Sequence, residues 1–181
     1  MKINFLGDSI TEGALAGHIE KRYATLVANA LGAEECNFGV SGTRIAKQVR
    51  RTVNPDDDVY MCRAVKMPQD ANFTFVFGGT NDSWSNAPLG EMKFADWEEK
   101  DLFFVLPAIC YFAYRLKTDL PKAEIVFIIN TEIKEEIQNC MEELAIRYGI
   151  KAVRLQDISK DEGHPNKEGM EQICQQVLAV L

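Results

Sequence analysis

Five short apolar runs alternate along the chain with longer stretches in which apolar residues recur every three or four positions. The runs are rich in β-branched and aromatic residues, and several are almost continuously apolar, which is typical of buried parallel strands. They are Lys2–Leu6, Glu34–Phe38, Phe73–Phe77, Glu124–Asn130 and Lys151–Leu155. The stretches of helical period cover residues 20–32, 100–121, 132–149 and 166–181. This alternation predicts an α/β fold, a doubly wound three-layer α/β/α sandwich around a five-stranded parallel sheet.

The length and charge of the chain limit the number of domains it can form and the kinds of partner it can bind. With 181 residues it is long enough to bury one core and too short to expect two, so residues 1–181 are predicted to form a single domain. The formal net charge of −7 disfavours binding to a nucleic-acid backbone, which requires clustered Lys and Arg. The densest basic stretch, residues 44–51, has its charges at helical spacing and predicts a solvated helix face.

The apolar runs and the cysteines indicate the cellular compartment of the protein. The runs are too short for a membrane span, and the N-terminal run is too short for a signal peptide, so we expect a cytoplasmic protein unless a secretion signal was trimmed away. Five scattered cysteines without CxxC spacing predict reduced, mostly buried thiols rather than disulfides or a zinc site. No metal or other cofactor is predicted.

Two connections, residues 52–72 and 83–98, are long for this fold and rich in Pro, Asp and Asn. The second begins where the third apolar run ends, at the edge where open α/β sheets bind ligands, and is predicted to form a pocket wall. Its Trp84 and Trp97 could each stack on a substrate ring or pack the loop against the body.

Gly7, Asp8 and Ser9 follow the first run directly, where a strand gives way to a helix. Ser9 or Thr11 could simply cap that helix, with Glu12 completing a capping box. Alternatively, Ser9 is a nucleophile, which requires a base to take its proton and donors to stabilise an oxyanion.

The chain offers two histidines as the base. His18 lies near the start of the first long helical stretch, where a surface or supporting histidine is the ordinary case. His164 lies between the last strand and the last helix, which returns it to the same sheet edge as Ser9. Gly163 and Pro165 favour a turn around it, and Asp161 is near enough in sequence to fix its tautomer.

Candidate oxyanion donors follow the second and third strands. Gly39 and Gly42 permit tight turns with exposed N–H groups, and Asn81 supplies a side-chain amide. These residues could also be turn residues with no further role.

Four blocks of the sequence resemble the SGNH hydrolase family, the GDSL esterases and lipases. The blocks are Gly7–Thr11, Asn37–Thr43, Gly78–Asp82 and Asp161–Asn166, in that order and at the predicted strand ends. The resemblance implies the flavodoxin-like fold of that family, with Ser9 as nucleophile and His164 as base. It also implies an oxyanion hole built from the Ser9 N–H, the Gly42 N–H and the Asn81 side chain.

The same resemblance implies that Asp161 orients His164, because it matches the family's Asp-x-x-His spacing. Asp157 and Glu162 are rival carboxylates, and a backbone carbonyl can take this role in some members. Asp8 and Trp84 are the predicted substrate-binding residues, and the Asp8 carboxylate is also expected to brace its turn through backbone N–H groups.

The predicted function is hydrolysis of carboxylic esters through an acyl-enzyme, with an acetylated carbohydrate as the favoured substrate and no nucleic-acid or membrane partner. Thioesterase or lysophospholipase activity is the alternative among enzymes. Acyl transfer to another alcohol, and a ligand-binding protein without catalysis on the same fold, are further alternatives.

Overall fold

The structure, a computed structural model, describes residues 1–48 and 59–181. Within these residues lies a five-stranded sheet in which every neighbouring pair of strands is parallel. Its spatial order is β2-β1-β3-β4-β5, and the strands are β1 (Lys2–Gly7), β2 (Glu34–Gly39), β3 (Phe73–Gly78), β4 (Glu124–Ile129) and β5 (Lys151–Arg154). The predicted parallel sheet is confirmed, and the ends of the strands differ from the prediction by a single residue at most.

Helices connect these strands and follow the last of them. They are α1 (Ser9–Glu12), α2 (Tyr23–Ala30), α3 (Tyr60–Ala64), α4 (Thr80–Trp84), α5 (Val105–Asp119), α6 (Glu135–Tyr148) and α7 (Lys167–Leu178). Short 3-10 helices over Ile19–Lys21 and Glu99–Phe103 precede α2 and α5, so both α-helices begin later than predicted. In the described part of the chain, no helix has the length and apolarity that crossing a bilayer requires.

Each face of the sheet is covered by its own set of helices, because alternate residues of a strand point to opposite faces. On β4, Phe127 and its neighbours of the same parity are buried together with residues of α3, α5 and α6. Val126 and Ile128 point the other way and are buried together with residues of α2 and α7. The three-layer arrangement is therefore confirmed, and the apolar runs are continuous because both faces of the sheet are buried.

The basic stretch 44–51 does not form the predicted helix over its described part. Residues 44–48 are irregular, and residues 49–51 lie outside the described residues. Ile45 and Ala46 are buried and donate their backbone N–H groups to the Asp82 carboxylate, at 3.0 and 2.9 Å. These bonds to a side chain take the place of intrahelical bonds.

The two long connections also differ from plain loops. In the connection 52–72, residues 52–58 lie outside the described residues, and α3 follows with Tyr60 and Arg63 buried. The connection 83–98 packs onto the core through four partly buried side chains: Leu89, Met92, Phe94 and Trp97.

Candidate active site

The turn between β1 and α1 orients Ser9 away from a capping role. Asp8 is the N-cap of α1, and its Oδ1 accepts a hydrogen bond from the Ile10 N–H at 3.0 Å. Ser9 is instead the first residue of the helix, and its Oγ lies 2.9 Å from Nε2 of His164. A Cβ on Gly7 would lie 1.9 Å from Oγ1 of Thr11, so only glycine fits this turn.

His164 reaches Ser9 from a small antiparallel hairpin between β5 and α7. Its strands are β6 (Lys160–Asp161) and β7 (His164–Pro165), and the turn residues Glu162 and Gly163 have φ of 49° and 78°. His164 Nδ1 lies 3.3 Å from the Glu162 carbonyl oxygen. A proton on Nδ1 is directed at this carbonyl, which leaves Nε2 as the acceptor for the Ser9 hydroxyl.

The structure does not bring the Asp161 carboxylate to the imidazole. Asp161 is exposed and pairs with His164 through the hairpin backbone. Among the described residues, no hydrogen bond joins His164 to a carboxylate of Asp161, Asp157 or Glu162. The group that faces Nδ1 is the backbone carbonyl of Glu162, the kind of partner left open by the sequence.

Asn81 and Gly42 follow β3 and β2, the two strands that flank β1 in the sheet. Asn81, in α4 after β3, donates one hydrogen of its side-chain amide to the Thr43 carbonyl oxygen at 3.0 Å. Thr43 directly follows Gly42, whose φ of 75° lies in the region that favours glycine. Because an amide nitrogen carries two hydrogens, this bond fixes the plane of the Asn81 amide and leaves its second hydrogen available.

Asp8 has no exposed surface, so the structure does not place it against a substrate, contrary to the sequence-based prediction. Its second oxygen, Oδ2, has no hydrogen-bond partner among the described residues. Burial raises the pKa of the Asp8 carboxyl to about 7. The expected brace is present, however, because the carboxylate caps α1 directly beside Ser9.

Asp82 supports the site in a way that sequence reasoning missed. Its two carboxylate oxygens accept the Ile45 and Ala46 N–H groups, which fixes the segment just after Thr43. Burial raises the pKa of the Asp82 carboxyl. Its position next to Asn81 in the third block was the available signal.

The two tryptophans of the connection 83–98 have different environments. Trp84 is 46% exposed, and its ring meets that of His164 edge to face, with 5.7 Å between centroids. Trp97 donates its indole N–H to the Lys93 carbonyl and packs against Tyr111 and Tyr114. Trp84 therefore borders the site, whereas Trp97 packs the loop against the body.

A parallel sheet with a serine–histidine contact at its carboxyl edge is typical of the class of α/β proteins that carry a hydrolytic site on strand-end loops. The model of the GDSL-like lipase/acylhydrolase family matches residues 18–181, and the chain belongs to this family. It is accordingly a hydrolase that acts on ester bonds. The match begins after Ser9, so family membership does not depend on the Gly7–Thr11 block.

Solved structures resemble the chain over almost its full length. A protein assigned as a GDSL-like lipase, from Bacteroides uniformis, is 30% identical with a TM-score of 0.89, covering 98% of this chain and 93% of its own. Another, from Bacteroides ovatus, is 28% identical with a TM-score of 0.87, covering 98% and 96%. A family two carbohydrate esterase from Clostridium thermocellum, in complex with cellohexaose, shares the fold at 20% identity and a TM-score of 0.68, covering 98% and 62%. Among curated proteins, no sequence matches the chain.

Proposed function

We propose that the chain hydrolyses carboxylic esters through an acyl-enzyme formed on Ser9. The observation that carries this proposal is the 2.9 Å contact between Ser9 Oγ and His164 Nε2. In the proposed reaction, His164 takes the hydroxyl proton as Oγ attacks the ester carbonyl, and then gives it to the departing alcohol. Water next attacks the acyl-enzyme with His164 again as base, which releases the acid and regenerates Ser9.

The proposed oxyanion donors are the Ser9 N–H, the Gly42 N–H and the Asn81 side chain. The proposal is supported by their positions at the ends of three adjacent strands, β1, β2 and β3. The hydrogen bond from Asn81 to the Thr43 carbonyl also supports it, because a donor held in place before the reaction stabilises a developing charge without reorganising.

Two groups of the hairpin are proposed to orient His164. The Glu162 carbonyl faces Nδ1 at 3.3 Å and selects the tautomer. Asp161, which the family resemblance implies as the third member of the triad, adds negative charge on the same hairpin. An exposed carboxylate without a hydrogen bond to the ring contributes less than a buried partner would.

For the substrate, we propose an acetyl ester of a carbohydrate. Trp84 supports this choice because a half-exposed indole beside His164 offers an apolar face on which a sugar ring can stack. The carbohydrate esterase that shares the fold is in complex with cellohexaose, so this architecture accommodates a sugar-binding esterase.

The substrate proposal is tested by comparing an acetylated sugar with a simple aryl acetate. Trp84→Ala is expected to lower kcat/KM for the sugar ester about tenfold more than for the aryl acetate, since the lost contact serves the sugar. Trp84→Phe, which keeps an aromatic ring, is the matched control and should retain most of the preference. Equal losses on both substrates would contradict the sugar-binding role. They would mean that Trp84 affects the rate only through its contact with His164.

A further inference from the structure

A buried guanidinium lies beneath the segments that carry the proposed nucleophile and oxyanion donors. It belongs to Arg63 in α3, which is 2% exposed and lies outside the four family blocks. Burying a charged group is costly, and it persists where hydrogen bonds compensate for the lost water. The acceptors of these bonds therefore indicate what the arginine holds in place.

The Arg63 guanidinium joins the ends of β1 and β2. Its Nη1 donates to the Gly7 carbonyl oxygen at 2.8 Å and also to the Phe38 carbonyl oxygen. Gly7 ends β1 two residues before Ser9, and Phe38 is the penultimate residue of β2. One side chain thus fixes the spacing of the two strands from which the nucleophile and the Gly42 turn emerge.

The second terminal nitrogen of the guanidinium contacts the turn that contains Gly42. Arg63 Nη2 donates to Thr43 Oγ1 at 2.8 Å, and Thr43 Oγ1 donates to the Val40 carbonyl oxygen at 2.7 Å. The carbonyl oxygen of the same threonine accepts the Asn81 amide. A continuous path of hydrogen bonds therefore leads from Arg63 through Thr43 to Asn81, and it closes the turn that contains Gly42.

The orientation of the guanidinium is itself constrained. Its carbon lies 5.0 Å from the centre of the Tyr60 ring, and the Tyr60 hydroxyl donates to the Phe77 carbonyl oxygen at 2.8 Å. A planar fork that serves several acceptors at fixed angles is a property of arginine, and a lysine ammonium does not reproduce it.

We propose that Arg63, acting through Thr43, is a positioning residue for the oxyanion hole. It does not touch the substrate; it holds the Gly42 turn and the plane of the Asn81 amide at the distance from Ser9 that the tetrahedral intermediate requires. This inference rests on the proposed function. It goes further by linking the oxyanion donors to a residue of the connection that follows β2.

Thr43→Val tests the path with a side chain of nearly the same shape in which a methyl group replaces the hydroxyl. We expect kcat for an aryl acetate to fall about tenfold with KM within about twofold, because small displacements of a transition-state donor reduce kcat. Thr43→Ser keeps the hydroxyl and should stay within about twofold of wild type. Equal rates in all three proteins would overturn the inference.

A double-mutant cycle separates positioning from general stability. In an Asn81→Ala background, Thr43→Val is expected to reduce kcat less than it does in wild type, since one of the two donors that Thr43 positions is already gone. A tenfold loss in both backgrounds, together with a lower Tm, would mean that Thr43 only stabilises the fold. Arg63→Lys, which keeps the charge but not the fork, should resemble Thr43→Val in kcat.

An NMR measurement tests the inference independently of activity. The side-chain amide of Asn81, assigned by its loss in Asn81→Ala, should keep its chemical shift in Thr43→Ser and move towards that of a free amide in Thr43→Val. An unchanged shift in Thr43→Val would overturn the inference. Absence of ester hydrolysis by wild-type protein would instead refute the proposed function, and the amide shift would still report whether Thr43 positions Asn81.

Discussion

Replacing Asp8 by asparagine should change how the stability of the fold depends on pH. The Asp8 carboxyl is fully buried and caps α1 through the Ile10 N–H, and its Oδ2 has no partner within residues 1–48 and 59–181. Asparagine is an equally good N-cap and carries no charge at any pH. Asp8→Asn therefore keeps the cap and removes only the ionisation.

The magnitude follows from the pKa of the buried carboxyl. Burial raises this pKa from 3.8 to about 7; the nearby Asp82 carboxylate adds to the rise, whereas the Ile10 N–H and the Arg63 guanidinium oppose it. The folded state holds this proton more tightly than the unfolded state does. The contribution of protonated Asp8 to the free energy of unfolding is therefore fully present below pH 4 and is lost as the pH rises through 7. The interval of about three pH units, at about 1.4 kcal/mol each, amounts to about 4 kcal/mol, of which about 3 kcal/mol falls between pH 5 and pH 8.

Urea denaturation at pH 5, 6, 7 and 8 measures this effect as the free energy of unfolding of wild type minus that of Asp8→Asn. The difference should fall by about 3 kcal/mol across the series. Asp70→Asn is the control: Asp70 is exposed and its pKa is lowered by the hydrogen bond from Lys2, so its difference should be flat over this range. Parallel profiles for wild type and Asp8→Asn would refute the reasoning.

Three further predictions concern the rate of ester hydrolysis. Asn81→Ala should lower kcat about a hundredfold, since one oxyanion donor contributes on the order of 3 kcal/mol, and an unchanged kcat would remove it from the oxyanion hole. Asp161→Asn should lower kcat much less than His164→Ala in the same assay, because His164 Nδ1 faces a backbone carbonyl, and equal losses would restore Asp161 as the main partner. Gly163→Ala should lower kcat with little change in KM, because its Cβ would lie 3.0 Å from Cη2 of Trp84 at a φ of 78°, and wild-type kinetics would contradict this.

The fold was predictable because its main determinant is local. Buried parallel strands are continuous apolar runs, and their limits could be read from the sequence almost to the residue. Helix starts were less accurate, as the region before α5 illustrates. Pro107 lacks an N–H and fits only the first turn of a helix, so the α-helix begins at Val105 and residues 99–103 form a 3-10 helix.

The site was predictable to the extent that it depends on strand ends. Ser9, Asn81 and His164 follow strands that meet at one edge, and the structure brings Ser9 and His164 into contact there. The burial of Asp8 and the geometry of the turn before His164 could not be read from the sequence. Asp8 looked like a polar group near a ligand although it is fully buried, and the turn at Glu162 directs a carbonyl to the imidazole.

Arg63 shows a different limit of sequence reasoning. Two of its acceptors are backbone carbonyls, at Gly7 and Phe38, and any residue type supplies a carbonyl. Another acceptor, Thr43, is 20 residues away along the chain. No pattern of residue types marks such a contact, so only the folded geometry reveals it.

The most direct test of an activated Ser9 is intact-mass analysis after incubation with a fluorophosphonate. We expect one stoichiometric adduct on wild-type protein, none on Ser9→Ala, and much slower formation on His164→Ala. Circular dichroism of the three proteins controls for folding. A well-folded wild-type protein that forms no adduct, or an adduct that persists in Ser9→Ala, would contradict the assignment of Ser9 as the nucleophile.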